Sequence, residues 1–254
     1  MTRTLRILSM AAVALALAGC VADHRPRTPG KVIDRALASA PYTAQPSLVV
    51  ARESAFARAA REDGQWTAFL DFAADDAMLH TANGPVLARD VLTGLKNPAQ
   101  AVKWSPRTVM MSCDGRMAVS AGRFRDPDGM VGDFVTVWQR DDWDDDYEWI
   151  YDVGGNDNPQ PVAEERDPDE IVATAYDAVQ GLVADCPKDG EAVPLPPLFS
   201  VDGAQSHDGQ LSSDRTLEWQ WFHFPDGRKR VVARYWKDGE WQLIVDRSLA
   251  AASD

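Results

Sequence analysis

Between residues 107 and 153 the chain repeats a short-period pattern four times. Val109, Met111 and Cys113 alternate with smaller or polar neighbours, and Met117, Val119 and Ala121 do the same, which is the period of a half-buried strand. Asp114-Gly115, Pro127-Asp128-Gly129 and the acidic patch at residues 141–146 separate the repeats. An Asp-Gly pair supplies the positive φ angles of a tight hairpin, so the pattern predicts a four-stranded antiparallel meander. Upstream the period lengthens. Leu48, Val49, Phe56, Ala59 and Ala60 share a helical face that ends at Gly64, where a helix C-terminus favours glycine. Trp66, Phe69, Leu70 and Ala73 form a second apolar stripe. A small hairpin is expected around Ala82-Asn83-Gly84, joining residues 77–80 to 85–87, with a short third helix over residues 88–95 that stops near Lys96-Asn97-Pro98.

Downstream, residues 156–166 read as a polar linker. Asp167-Pro168-Asp169-Glu170 then combines an N-cap carboxylate, a proline at the first position and acids in the first turn. Ile171, Ala175, Ala178, Val179 and Leu182 would give that helix its apolar face. A second β-rich stretch echoes the meander. Ser206-His207-Asp208-Gly209 matches Ser112-Cys113-Asp114-Gly115, Pro225-Asp226-Gly227 matches Pro127-Asp128-Gly129, and Trp236, Glu240-Trp241 and Asp246 match Trp138, Glu148-Trp149 and Asp152. The stretch reads as a degenerate half-repeat. Leu217, Trp219 and Trp221 alternate with Glu218 and Gln220, so one face of its first long strand is aromatic. With one helix ahead of it, this unit either packs that face on the first domain or closes a reduced unit beside it.

The beginning of the chain changes the picture from fold to address. Arg3 and Arg6 precede an apolar run over residues 7–17, and Leu17-Ala18-Gly19-Cys20 follows. The run is too short to span a bilayer. The tetrad resembles the bacterial lipobox, which implies a signal peptide over residues 1–19 and lipidation at Cys20. Val21 after Cys20 implies the outer membrane, periplasmic face, with acyl chains as the membrane contact. Residues 20–47, with Pro26, Pro29, Pro41 and Pro46, would be a tether. The formal charge of the 254-residue chain is −13. Removing residues 1–19, which carry Arg3 and Arg6 and no acids, takes it to −15. Nucleic acid is excluded on this balance, because phosphate backbones are held by clustered Lys and Arg.

Residues 48–155 resemble the NTF2-like superfamily, in particular its SnoaL-like, DUF4440-type domains. The residues that carry the resemblance are Glu53, Phe56, Gly64, Ala68-Phe69, Trp104-Ser105-Pro106, Asp114-Gly115, Gly122, Asp128-Gly129, Gly132, Trp138, Trp149 and Tyr151-Asp152-Val153-Gly154. It implies an α+β fold: a cone of helices packed on a curved antiparallel sheet, with a pocket open at one end, followed here by the smaller α+β half-repeat at residues 167–248. It also implies a tendency of such sheets to pair into a homodimer.

By the same resemblance Trp66, Phe69, Trp104, Trp138 and Trp149 would line the cone interior, as core filling or around a shared cavity. Asp152, among apolar neighbours, and Asp76 with His80 are candidate acid–base groups. No catalytic set maps onto this chain position by position. His24, His80, His207 and His223 are isolated, and the acidic patch lacks the glycine and terminal glutamate of a calcium loop, so no metal and no cofactor are expected. Nor is there a nucleophile elbow, P-loop or dinucleotide fingerprint. Cys113 and Cys186 either pair, as an oxidising compartment favours, or remain two buried thiols. Three functions stay open: a domain binding a small apolar or amphipathic ligand or a partner protein, a cofactor-independent isomerase, dehydratase or cyclase, and an envelope scaffold with a filled cone.

Overall fold

The computed structural model describes residues 44–162, 179–188 and 191–251. The leader, Cys20 and nearly all of the expected tether lie outside the described residues, as do residues 163–166 of the expected linker and 167–178 of the expected second helical region. Within the described residues the fold is mixed α+β, with a large, curved, mostly antiparallel sheet and few helices. Helix α1 (Pro46–Glu62) buries Val49, Glu53, Phe56, Ala57 and Ala60, a stripe of helical period, and begins with a proline in its first turn. Gly64, at φ +112°, separates it from α2 (Gln65–Asp71). A Cβ at Gly64 would lie 2.2 Å from Nδ2 of Asn97. The same Asn97 caps α2 from thirty residues away, its Oδ1 accepting from the backbone of Trp66 at 2.7 Å.

Strands β1 (Ala73–Thr81) and β2 (Gly84–Leu87) form the small hairpin. Helix α3 (Ala88–Leu92) is shorter than the pattern suggests. The meander follows as β3 (Lys103–Met111), β4 (Met117–Arg125), β5 (Val131–Gln139) and β6 (Glu148–Asn156). The end of the region expected to be helical, Gln180–Val183, is instead strand β7, paired in parallel with β3. Leu182 packs into one core and Val183 into the other, which is the period of a strand; the three-residue spacing from Val179 to Leu182 imitates a helix. The first sheet runs β2-β1-β6-β5-β4-β3-β7.

A second sheet, in the order β11-β10-β9-β8, is built from β8 (Ser206–Leu211), β9 (Leu217–His223), β10 (Lys229–Lys237) and β11 (Glu240–Leu249). Its Leu217, Trp219, Val231, Ala233, Tyr235 and Val245 pack on Met110, Val119, Val135, Val137, Tyr151 and Val153 of the first sheet. The opposite face of the first sheet, with Val109, Met111, Ala118, Trp138 and Trp149, packs under the helices. Both faces are covered, which is why β4 is buried along six consecutive residues instead of alternating. The aromatic face of the second unit therefore lies on the first.

The two meanders share a turn design, in a register other than the expected one. Ser112 and Ser212 each donate to the carboxylate two residues on, Asp114 and Asp214, at 2.6 Å. Each also accepts the backbone N–H five residues ahead, from Met117 and Leu217. The partner of the Ser112–Gly115 turn is thus Ser212–Arg215, not residues 206–209, which form the body of β8. Gly115 at φ +64° corresponds to Arg215 at φ +61°; the missing glycine is what hides the match. A disulfide joins Cys113 in the first turn to Cys186 just after β7, with Cα atoms 5.1 Å apart.

Candidate functional site

Two of the buried polar groups lie on opposite faces of the first sheet. Beneath the helices, Glu53 of α1 is 1% exposed. Its carboxylate accepts from Nε1 of Trp104 at 3.0 Å, from Nε1 of Trp138 at 3.1 Å and from the Ser120 hydroxyl. Burial pushes its pKa up, against the pull of those three donors. Ser120, Thr136 and Asp152 are cross-strand neighbours on β4, β5 and β6 and continue this polar row. The Thr136 hydroxyl donates to Asp152 at 2.6 Å. Burial, aided by the nearby Glu53 charge, raises the Asp152 carboxyl to about 7, with Thr136 and Lys229 opposing.

Between the sheets, His80 on β1 is 3% exposed. Its Nδ1 lies 2.6 Å from the Tyr151 hydroxyl and its Nε2 lies 3.1 Å from Nδ1 of His223 on β9. Desolvation, with Lys229 and His223 adding to it, lowers the His80 pKa to about 3, so the ring is neutral and donates one of these bonds while accepting the other. Burial keeps the Tyr151 hydroxyl protonated. Lys229, its own pKa lowered by burial, donates to the carbonyl of Gly154 at 3.2 Å.

Tyr151 leads from this relay to a cleft of about 1070 Å³ at one end of the layered structure. Its walls are β1, the loop between β5 and β6, and residues 208–210 of β8; Met78, Ile150, Tyr151, Trp219 and Trp221 also line it. Asp75, Asp76, Asp141, Asp145, Asp146, Glu148 and Asp208 line it against a single guanidinium, Arg140. Two of its lining residues hold orphaned donors: Nη2 of Arg140 and Nε1 of Trp219 are buried with no hydrogen-bond partner. Each residue is 6% exposed. Native structures seldom leave such donors unmade. A second cleft, of about 720 Å³, opens beside Lys229, Arg228 and Arg230 and carries no orphaned donor among the described residues.

The structure gathers Trp66, Phe69, Trp104, Trp138 and Trp149 into one cluster with Phe56, beneath the helices and around Glu53. None of them lines either cleft. Asp76 stands exposed at the wall of the larger cleft, while both ring nitrogens of His80 are engaged by Tyr151 and His223; the two do not pair, because β1 turns them to different surroundings. Asp152 is bonded to a hydroxyl rather than to strand-end amides, and its counterpart Asp246 is a surface partner of Arg230. Glu53 had a legible signal, a charge on the apolar stripe of α1. Trp219 was legible only as part of an aromatic strand face; His223 and Arg140 had no signal, since their partners are supplied by segments distant in the chain or by an irregular loop. Comparison with known proteins returns no matching family model and no matching curated protein.

Proposed function

We propose that this chain is an envelope lipoprotein, anchored through Cys20, whose NTF2-like globular part is a binding module with its ligand site in the acidic, aromatic-lined cleft between the two sheets. The order of helices, hairpin and four-stranded meander, with the helices on one face of a curved sheet, supports the family reading. One observation carries the choice of site: the unmet N–H groups of Arg140 and Trp219 both belong to residues lining that cleft, and a ligand acceptor there would relieve their desolvation. The space beneath the helices, where the resemblance would set a pocket, is packed with aromatic rings. Native mass spectrometry of the purified protein tests this. A co-purified molecule should be carried by the wild type and lost from Trp219→Phe; retention in that variant with loss from Phe69→Ala would move the site under the helices.

A second reading, a cofactor-independent isomerase, dehydratase or cyclase, has in its favour the Asp152 carboxyl raised to about 7, a value suited to proton transfer at neutral pH. Against it stand the 9% exposure of Asp152, its absence from the lining of both clefts and the separate engagements of Asp76 and His80.

A further inference from the structure

We infer that the cleft takes an extended basic peptide segment of another protein. This rests on the cleft being the binding site, and it adds the class of occupant. Charge sets the first requirement. Asp75 and Asp146 are paired with Arg89 and Arg52, but Asp76, Asp141 and Glu148 form no ion pair among the described residues. A cleft lined by one sign of charge concentrates the opposite sign.

A bare cation does not satisfy the site. The donors of Arg140 and Trp219 need an acceptor, and no group of acids among the described residues is arranged to hold a metal ion. An occupant must bring positive charge and carbonyl-like oxygens together.

The walls add a third requirement. Strand β8 pairs only with β9 and forms the outer edge of the second sheet, exposed along nearly its whole length. On the other wall, residues 74–77 of β1 bulge out. The pairing with β6 jumps from Ala73 to Met78, and the pairing with β2 begins only at Met78. Both walls therefore offer strand backbone outside the ladders, the setting in which an added strand gains main-chain hydrogen bonds. An extended peptide meets all three requirements. Its carbonyls bring acceptors beside Arg140 and Trp219, its backbone pairs with an edge, and Lys or Arg at alternate positions share one face. Their alkyl stems rest on the partly exposed Trp221, with cation–π attraction at the charged ends.

The test titrates the purified full chain with a short capped peptide alternating Lys and Val, its Glu-Val counterpart, a backbone N-methylated Lys-Val peptide and spermine, read by calorimetry. The basic peptide should bind saturably, at least about tenfold more weakly to Asp76→Asn/Glu148→Gln and at raised ionic strength. The acidic peptide should not bind, and N-methylation should weaken the basic one. Spermine binding as tightly as the peptide would overturn the peptide assignment while leaving a cationic site in the cleft. No binding of any basic probe to a protein that still carries a co-purified molecule lost in Trp219→Phe would overturn this inference and spare the binding-module reading. Absence of both would overturn the two together.

Discussion

The backbone N–H of Asp114 donates to Oδ2 of Asp214 at 2.7 Å, across a hundred residues of chain. The contact is reciprocated: the Ser213 hydroxyl donates to Oδ2 of Asp114 at 2.8 Å, and the Cys113 N–H donates to Oγ1 of Thr216 at 2.8 Å. Two turns of the same design thus stand back to back, each carboxylate holding its own turn and touching the other. This joint fixes how the second meander lies on the first, and so fixes the cleft. Asp214→Ala is expected to cost about 2–3 kcal/mol in urea unfolding, because Asp214 also accepts from the Thr216 and Ser212 hydroxyls. Combined with Asp114→Ala, the loss should fall short of the sum, the mark of a shared network.

The disulfide from Cys113 to Cys186 closes 73 residues of chain beside that joint. In the chain-entropy account a loop of this size contributes up to about 4 kcal/mol. Reduction, or Cys186→Ala, should lower the urea midpoint accordingly. An unchanged midpoint would mean that the surrounding contacts hold the turn unaided.

Two buried groups make stability depend on pH with opposite signs. Asp152 titrates at about 7 when folded against 3.8 unfolded. Between those values the folded state holds a proton that the unfolded chain has lost, so stability is greatest below the unfolded value and falls as pH rises. His80 titrates at about 3 when folded against 6.5 unfolded. There the unfolded chain holds the extra proton, so stability is full above 6.5 and falls as pH drops. The shifts correspond to about 4 to 5 kcal/mol each across their windows, and where the windows overlap the slopes oppose. Asp152→Asn should expose a stability that rises with pH through the acid range, and His80→Gln one that falls toward neutrality. Parallel profiles for the two variants in urea titrations would contradict this assignment.

Glu53 is the one acceptor shared by Trp104, Trp138 and Ser120. Glu53→Gln keeps an acceptor oxygen and should be tolerated within about 1–2 kcal/mol, whereas Glu53→Ala takes the acceptor from Trp104 and leaves Trp138 and Ser120 only their bonds to Ser120 and to the Thr136 carbonyl, and should cost about 3 kcal/mol or more. Thermal unfolding followed by tryptophan fluorescence distinguishes the two, and near-equal losses would refute the acceptor role.

The local elements were legible where local pattern decides them. The α1 stripe from Val49 to Ala60 and the turns at Asp114-Gly115 and Asp128-Gly129 stand in the sequence with little ambiguity. What escaped depends on contacts between distant segments. Strand β7 is a strand because β3 offers it an edge and because Leu182 and Val183 have a core on either side. Arg215 occupies a left-handed turn where glycine would have announced the repeat. The cleft is written in Asp76, Glu148 and Asp208 only once two sheets bring them together. The aromatic set Trp66, Phe69, Trp104, Trp138 and Trp149 was visible as a group, but whether large rings fill a space or line one is decided by packing, and here they fill the space beneath the helices, with Trp104 and Trp138 bonded to Glu53.

Hydrogen–deuterium exchange of the full chain with and without the alternating Lys-Val peptide addresses the cleft most directly. Bound peptide should protect residues 74–77 and 206–211, the strand backbone outside the ladders, and leave α1, α2 and residues 103–111 unchanged. Protection centred on α1 and α2, with those two segments exchanging as before, would contradict it.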